Sequence, residues 1–248
     1  PFSMSGQLAK AGLTISRGEA KLYDGTAQLR GQVDWTPAEN WQLAGTMRGL
    51  NPGRLRSALP GSLGFDFDLR GDAFGPEANL DAQFRNLQGR LRGATARGRG
   101  RIQRQGQGKD LRWLFEGINV AAGGLRLAAD GSLSDSSYNL DFRLDADDLG
   151  IISEQSRGAL TARGTLGGTL REPLLRGTAS GRGIELEGIK LGALDADIDF
   201  DPRAGKTSNV RIEARSLEAF GRSASELDFT LRGQAEQHSM TLDAAAPN

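Results

Sequence analysis

The stretch GTLGGTLREPLLRGTASG, at residues 164–181, sets glycines and a proline among leucines and contains no residue of obvious catalytic use. A related stretch lies 97 residues earlier in the chain. Repetition at a fixed period predicts units that stack on one another. We therefore expect one continuous repeat segment over residues 1–248, with units at 12–108 and 109–205 and a partial unit at 206–248. The pairs aligned at this offset are Gly61 with Gly158, Leu63 with Leu160, Leu69 with Leu166, Gly71 with Gly168, and Pro76 with Pro173.

The glycines and the proline of each unit are interpreted as residues that shape the backbone where strands bend or end. Gly71 and Gly168 suit a backbone with positive φ, or a bulge, where a strand bends. Pro76 and Pro173 lack an N–H group, so they suit a turn or the edge of a sheet. We expect these residues to separate strands and to take no part in catalysis.

Period-two alternation of apolar and polar residues runs through most of the chain. In residues 63–70, leucine and phenylalanine alternate with glycine, aspartate and arginine, and residues 140–145 repeat the pattern. Such alternation predicts half-buried strands. Helical periodicity is nearly absent. The exception is NPGRLRSALP at 51–60, where Asn51 can cap a helical turn, Pro52 can begin it and Pro60 can end it.

The composition favours a sheet that lines a space over one that fills a core. Gly accounts for 35 residues and aromatic residues for only 6%, whereas sandwich cores use bulky aromatic and β-branched residues. With about 12 residues per strand and turn, we expect roughly 20 strands in one long trough. The alternative, that the inward residues pack against each other in a closed core, stays open.

Charge and cysteine content exclude several kinds of site. The 31 acidic and 31 basic residues give zero formal charge, so no global field draws the chain to nucleic acid. The absence of cysteine excludes disulfides, thiol catalysis and Cys-ligated metals. No apolar run approaches the ~18 residues of a membrane-spanning helix. Neither a nucleophile motif nor a phosphate loop occurs, so we expect no enzyme activity, no cofactor and no metal.

Three stretches together resemble the TamB family, the translocation and assembly module proteins of the AsmA-like group. The order and spacing of their Gly, Leu, Pro and Trp residues carry the resemblance, which covers most of the chain. The stretches are GALTARGTLGGTLREPLLRGTASGRGIELEGIKLGALDADIDFD at 158–201, GTAQLRGQVDWTPAENWQLAGTMRGLNPGRL at 25–55, and LRGQAEQHSMTLDA at 231–244.

The resemblance implies an all-β fold called a β-taco: a long, curved antiparallel sheet, or half-pipe, with a hydrophobic concave groove. It implies a periplasmic protein of Gram-negative bacteria that is anchored in the inner membrane. Family members work with an outer-membrane barrel partner of the TamA type. They are connected with phospholipid movement and with outer-membrane protein assembly. We expect this chain to be a fragment of such a larger protein.

Under this hypothesis, the groove carries phospholipid acyl chains between the inner and outer membranes while the head groups stay in water. Transfer of a ~16-carbon chain into water costs on the order of 12 kcal/mol, and a continuous apolar groove lowers that barrier. The alternative function is a structural or chaperone-like module that pairs an exposed sheet edge with a strand of an outer-membrane barrel protein. A passive spacer is a third alternative. The residues expected to line the groove are Val33, Trp35, Leu43, Met47, Phe65, Phe67, Leu69, Leu140, Phe142, Leu144, Ile198, Phe200, Phe229, Leu231, Met240 and Leu242.

Three other patterns are interpreted as structural. The run at 96–109 places Arg97, Arg99 and Arg101 on the solvent side of a strand, with contact to anionic head groups as a weaker alternative. The lone His238 suits a turn or a strand start. A row of carboxylates is interpreted as solvated cross-strand partners of arginines and as no cation site; the row is Asp195, Asp197, Asp199 and Asp201, and the arginines are Arg211 and Arg215.

Overall fold

A computed structural model describes residues 2–35, 39–75, 77–186, 188–219 and 221–246 of the protein. In these ranges the chain forms 16 β-strands and three short 3₁₀ turns. The turns are η1 (Pro52–Arg54), η2 (Gly108–Asp110) and η3 (Leu149–Ile151). The strands are β1 (Phe2–Leu8), β2 (Gly12–Leu22), β3 (Gly25–Asp34), β4 (Asn40–Leu50), β5 (Gly61–Gly71), β6 (Leu80–Leu91), β7 (Ala94–Gln105), β8 (Arg112–Ala122), β9 (Leu125–Ser134), β10 (Tyr138–Ala146), β11 (Arg157–Gly168), β12 (Pro173–Leu186), β13 (Ile189–Phe200), β14 (Thr207–Ala219), β15 (Arg222–Gln234) and β16 (Gln237–Ala245).

The strands follow one another in a single sheet in the order of the sequence, from β1 to β16. Successive strands from β1 to β8, and again from β10 to β16, pair antiparallel. The described residues contain no α-helix. The prediction of an all-β, long antiparallel sheet is therefore confirmed. The expected number of strands was too high, because strands reach 14 residues in β12.

The chain divides into two compact units, each with its own small core. The first unit is Pro1–Gly123 with Asp130–Asp135, and the second is Gly124–Ala129 with Ser136–Asn248. The predicted repeat units stay a prediction. The core of the first unit is Ala27, Met47 and Phe67, with Leu29, Leu50, Phe65 and Leu69 packed against them. The core of the second unit is Ala146, Leu149 and Ile184, with Leu125, Leu160, Leu191 and Leu194 packed against them.

The helical turn predicted within 51–60 is present as η1, and it ends at Arg54, before the predicted stop at Pro60. Pro52 takes its first position, and Asn51 Oδ1 accepts a hydrogen bond from the Gly53 N–H at 3.0 Å. An equivalent turn, η3, has the same cap: Asp148 Oδ1 accepts from the Gly150 N–H at 2.8 Å. The sequence prediction missed η3, because leucine stands at the position that proline occupies in η1.

The two glycines predicted where strands bend or end have different roles. Gly168 ends β11 with φ +80°, as predicted. The prediction is wrong for Gly71, which ends β5 without positive φ or a bulge. A Cβ at Gly71 would lie 2.6 Å from Cε2 of Trp41, so glycine is needed there for space. Pro173 begins β12, and Pro76 lies outside the described residues.

Candidate functional site

Cross-strand register places the predicted groove residues of the first unit on one side of its strands. Directly opposed residues share a face, because side chains alternate along each strand. Phe67 of β5, for example, lies opposite Gly45 of β4. We call this side of each unit the apolar face and the other side the polar face. The further opposed pairs are Val33 with Trp41, Leu43 with Leu69, and Met47 with Phe65.

The register of the second unit likewise brings its predicted residues onto one face. The three residues predicted on β10 lie opposite apolar or small residues of β11. Toward the other end of the unit, residues of β15 and β16 oppose each other. The pairs are Leu140 with Leu166, Phe142 with Gly164, Leu144 with Ala162, Phe200 with Leu175, Ile198 with Val210, Phe229 with Leu242, and Leu231 with Met240.

Small residues form the middle of the apolar face in the second unit. Gly164 of β11 and Gly177 of β12 oppose each other, and beside them Ala162 opposes Ala179. A Cβ at Gly177 would clash with the carbonyl oxygen of Arg163, so only glycine fits this close approach. We call this strip of backbone and methyl groups the floor of the apolar face. The larger leucine and phenylalanine side chains of the face lie beside it.

Two of the predicted residues of the apolar face are buried. Met47 and Phe67 are 7% and 8% exposed within the first core, so the closed-core alternative describes these two residues. In contrast, Met240 and Leu242 are 64% and 63% exposed, and the other predicted residues are exposed or half-buried. The described residues contain neither a second sheet nor an α-helix that could cover this face.

The total exposed area is large for the mass. The accessible surface is 15816 Å² for 26.4 kDa. A compact globular protein of that mass exposes about 10,600 Å², which is roughly two thirds as much. The excess is the area expected when an apolar face has no partner layer.

Trp35 lies at the end of the first unit's row. It directly follows β3, and its Nε1 donates a hydrogen bond to the Lys10 carbonyl oxygen at 2.7 Å. Its neighbour along the chain in this row, Val33, is half-buried. The polar atom of Trp35 is therefore satisfied by backbone while its ring stays partly exposed.

Several residues of the apolar face were absent from the sequence prediction. Bulges explain part of this, because one extra residue shifts the period-two alternation. In β6 the register shifts between Phe84 and Leu87, where Asn86 has φ +53°. An asparagine in an otherwise alternating segment was the available signal, since asparagine tolerates positive φ. The missed residues include Phe84, Ile102, Phe115, Val210, Ile212 and Leu227.

Charged side chains pair across strands on the polar face. Arg101 of β7 bonds Asp81 of β6 at 2.7 Å and Glu116 of β8 at 3.0 Å. The hydrogen bond from Arg101 holds the pKa of Asp81 below its ordinary value. Arg97 and Arg99 share this face, as predicted.

Arg104 departs from the alternation of its run. It lies opposite Leu80 and Trp113, on the apolar face. Its Nη1 donates to the Ala78 carbonyl oxygen at 2.6 Å. The side chain thus binds backbone at the end of the strands instead of facing solvent beside the other arginines.

The predicted partners of the carboxylate row are wrong. Asp197 lies opposite Arg211, but Arg211 forms its ion pair with Glu213 on its own strand. Arg215 pairs with Glu226 at 3.9 Å. The cross-strand pair that does form in the row joins Asp199 to Arg176 at 2.8 Å. Alternation on the polar face was predicted correctly, and the choice among several nearby arginines was not.

Asp201 does not belong to the solvated row. Only 2% of the residue is exposed, and its carboxylate bonds Arg203 at 2.6 Å. Its backbone N–H donates to Ser208 Oγ at 3.0 Å. The hydrogen bond from Arg203 lowers the pKa of Asp201 to about 2. Asp201 therefore fixes the turn after β13.

The remaining candidates are the lone histidine, a metal site and a membrane-spanning helix. His238 is the second residue of β16 and is exposed, as expected of a strand start. Across the described ranges, no group of His, Asp or Glu side chains is arranged to hold a metal ion. No helix in those ranges has the length and apolar character needed to cross a membrane.

Comparison with known proteins gives one family. The family model described as "TamB, N-terminal domain" matches residues 2–247. Neither a protein of curated description nor a solved structure shows a significant match to the chain.

Proposed function

The chain belongs to the TamB family, and from this premise we propose that its apolar face carries phospholipid acyl chains between the inner and the outer membrane. Membership of this family supports a role in outer-membrane assembly or transport, and it suggests a periplasmic protein of a membrane-anchored type. The proposal adds the cargo and the surface that carries it. It requires no catalysis, because moving a lipid along a surface breaks no bond.

The observation that supports the proposal is the uncovered apolar face. Each buried methylene contributes roughly 0.8 kcal/mol, so even half-covering an acyl chain offsets several kcal/mol of the barrier to leaving a membrane. The floor of Gly164, Gly177, Ala162 and Ala179 gives such a chain room beside the larger side chains. Because neither a second sheet nor an α-helix of the described residues covers it, the face suits a cargo that slides and is not held at one point.

The experiment places a charge on each face of the same strand. Phe142 of β10 lies on the apolar face and is half-buried, whereas Asn139 of β10 lies on the polar face and is exposed. We expect Phe142→Asp to reduce co-purified phospholipid several-fold, and Asn139→Asp to leave it unchanged. Phospholipid extracted from purified protein and quantified by mass spectrometry provides the measurement. A Phe142→Leu variant controls for loss of the ring.

Retention of the full lipid content by a folded Phe142→Asp variant would contradict the proposal. Circular dichroism and the thermal midpoint establish that each variant is folded. Equal loss of lipid from both charged variants would contradict it as well, since lipid binding would then not distinguish the two faces.

A further inference from the structure

The polar face of the first unit carries a continuous depression lined by arginines. Four adjoining hollows, with volumes of about 330, 350, 440 and 520 Å³, lie along strands β2 to β7. They share lining residues, among them Arg30, Thr46 and Asp68. We call the set of lining arginines the arginine surface: Arg17, Arg30, Arg48, Arg70, Arg85, Arg97 and Arg101.

The acids that line the depression are already engaged. Asp68 pairs with Arg85, and Asp81 pairs with Arg101. Asp66 accepts a hydrogen bond from Asn86 at 2.7 Å. Within the described residues, the other arginines of the surface have no acidic partner within ion-pair distance: Arg17, Arg30, Arg48, Arg70 and Arg97.

The second unit shows that this excess is no general property of the fold. Its polar face has a hollow of about 610 Å³ on the same kind of strands. The charged residues that line that hollow are three arginines and three acids: Arg143, Arg163 and Arg211 with Asp195, Asp197 and Glu213. Counted over the sequence, the first unit holds 17 basic and 13 acidic residues and the second unit 14 basic and 18 acidic residues, so the first unit carries the net positive charge.

We propose that the arginine surface binds a bilayer that displays anionic phospholipid head groups. Guanidinium groups match phosphate oxygens in paired hydrogen bonds. From Arg30 on β3 to Arg97 on β7 the surface crosses four strand spacings, or about 19 Å, which suits an array of phosphates better than one small anion. No aromatic side chain lies on this face between β2 and β7 in the described residues, so stacking with single-stranded nucleic acid has no platform.

This site lies on the face opposite the one assigned to acyl chains, and it stands or fails independently of lipid carriage. Head-group binding here is electrostatic, so it weakens as salt increases. Binding of acyl chains to the apolar face depends instead on hydrophobic contact and persists in salt. The two activities are therefore separable in one experiment.

The test is sedimentation of the protein with vesicles of phosphatidylcholine, with and without phosphatidylglycerol, at low and high salt. One variant changes Arg30, Arg48, Arg70 and Arg97 to Gln. The matched control changes Arg163, Arg182, Arg215 and Arg232 on the polar face of the second unit to Gln, which alters net charge equally. We expect the first variant to bind anionic vesicles more than roughly tenfold more weakly, and the control to stay within about threefold of the unchanged protein.

Five results would overturn the proposal. Equal weakening of both variants would show that binding follows net charge alone. Equal binding to neutral vesicles, or binding that survives high salt, would assign it to the apolar face. Preference for an acidic polypeptide such as polyglutamate would identify a protein segment as the ligand. Full competition by inorganic phosphate would identify a free anion as the ligand.

Discussion

At the scale of single residues, the apolar face depends on positions where a side chain must be absent. Gly45 lies opposite Phe67, and a Cβ there would come within 2.9 Å of the ring atom Cζ. The same Cβ would clash with the Gln28 carbonyl oxygen of the neighbouring strand. Glycine at this point lets the phenylalanine ring lie across β4 and become part of the first core.

We expect Gly45→Ala to destabilise the first unit by about 1–3 kcal/mol, because the added methyl group has no space. Gly167→Ala is the matched control: its Cβ would make an ordinary contact, 3.6 Å from Leu174, and should change stability by less than ~0.5 kcal/mol. Urea unfolding followed by circular dichroism measures both. Similar destabilisation by the two variants would contradict the packing described for Phe67.

Asp201 makes stability depend on pH in an acidic window. Its pKa is about 2 in the folded protein against an ordinary 3.8. A carboxyl group whose pKa is depressed by folding stabilises the protein above the unfolded value, and this contribution disappears as pH falls through the folded value. We expect stability to decrease from pH 4 to pH 2, and Asp201→Asn to show a smaller decrease over that interval. Parallel curves for the two proteins in urea unfolding at each pH would be inconsistent with the Arg203 pair.

At the scale of elements, the last strands of the second unit carry directly opposed like charges on their polar face. The row runs over four neighbouring strands, and like charges directly opposite each other are unfavourable. Arg211 compensates part of this charge through Glu213. The members of the row are Asp195, Glu213, Asp228 and Asp243.

Replacing the centre of that row should stabilise the sheet. We expect Asp228→Lys to raise the free energy of unfolding by about 0.5–1 kcal/mol, because the new ammonium group faces Glu213 and Asp243. Thr230→Lys on the same strand faces Arg211 and should bring no gain. The measurement is chemical denaturation at low salt, repeated at high salt, where the gain should shrink. A gain of the same size from both lysines would count against the charge row.

The elements themselves were largely predictable from the sequence, and their irregularities were not. Alternation identified the strands, and Asn51 with Pro52 identified η1, since both signals are local. Bulges such as that at Asn86 depend on how two strands pair, so they left no period-two signature. Asp201 was misplaced and Arg104 was left unassigned for the same reason. The partner of Asp201 lies in the following turn, and the partner of Arg104 lies just before a neighbouring strand, so neither belongs to the alternating pattern.

At the scale of the whole molecule, the strands follow one another in one sheet, and the described residues provide no second layer over the apolar face of either unit. The folded chain already exposes 15816 Å². Its unfolding therefore exposes only about four fifths of the additional area that a compact protein of the same mass exposes when it unfolds. The heat-capacity change of unfolding follows exposed area. We expect calorimetry of the lipid-free chain to give a value about a fifth below that of compact proteins of equal length. A value typical of compact proteins would indicate a buried apolar face.

The most direct test of the central claim is crosslinking with a phospholipid that carries a photoreactive group in its acyl chain. After illumination, mass spectrometry identifies the labelled residues of β10. The account predicts labels at alternate positions, on Leu140, Phe142 and Leu144, and none on the intervening Asp141 and Arg143. Labels on both sets, or on the charged set alone, would contradict the assignment of acyl chains to the apolar face.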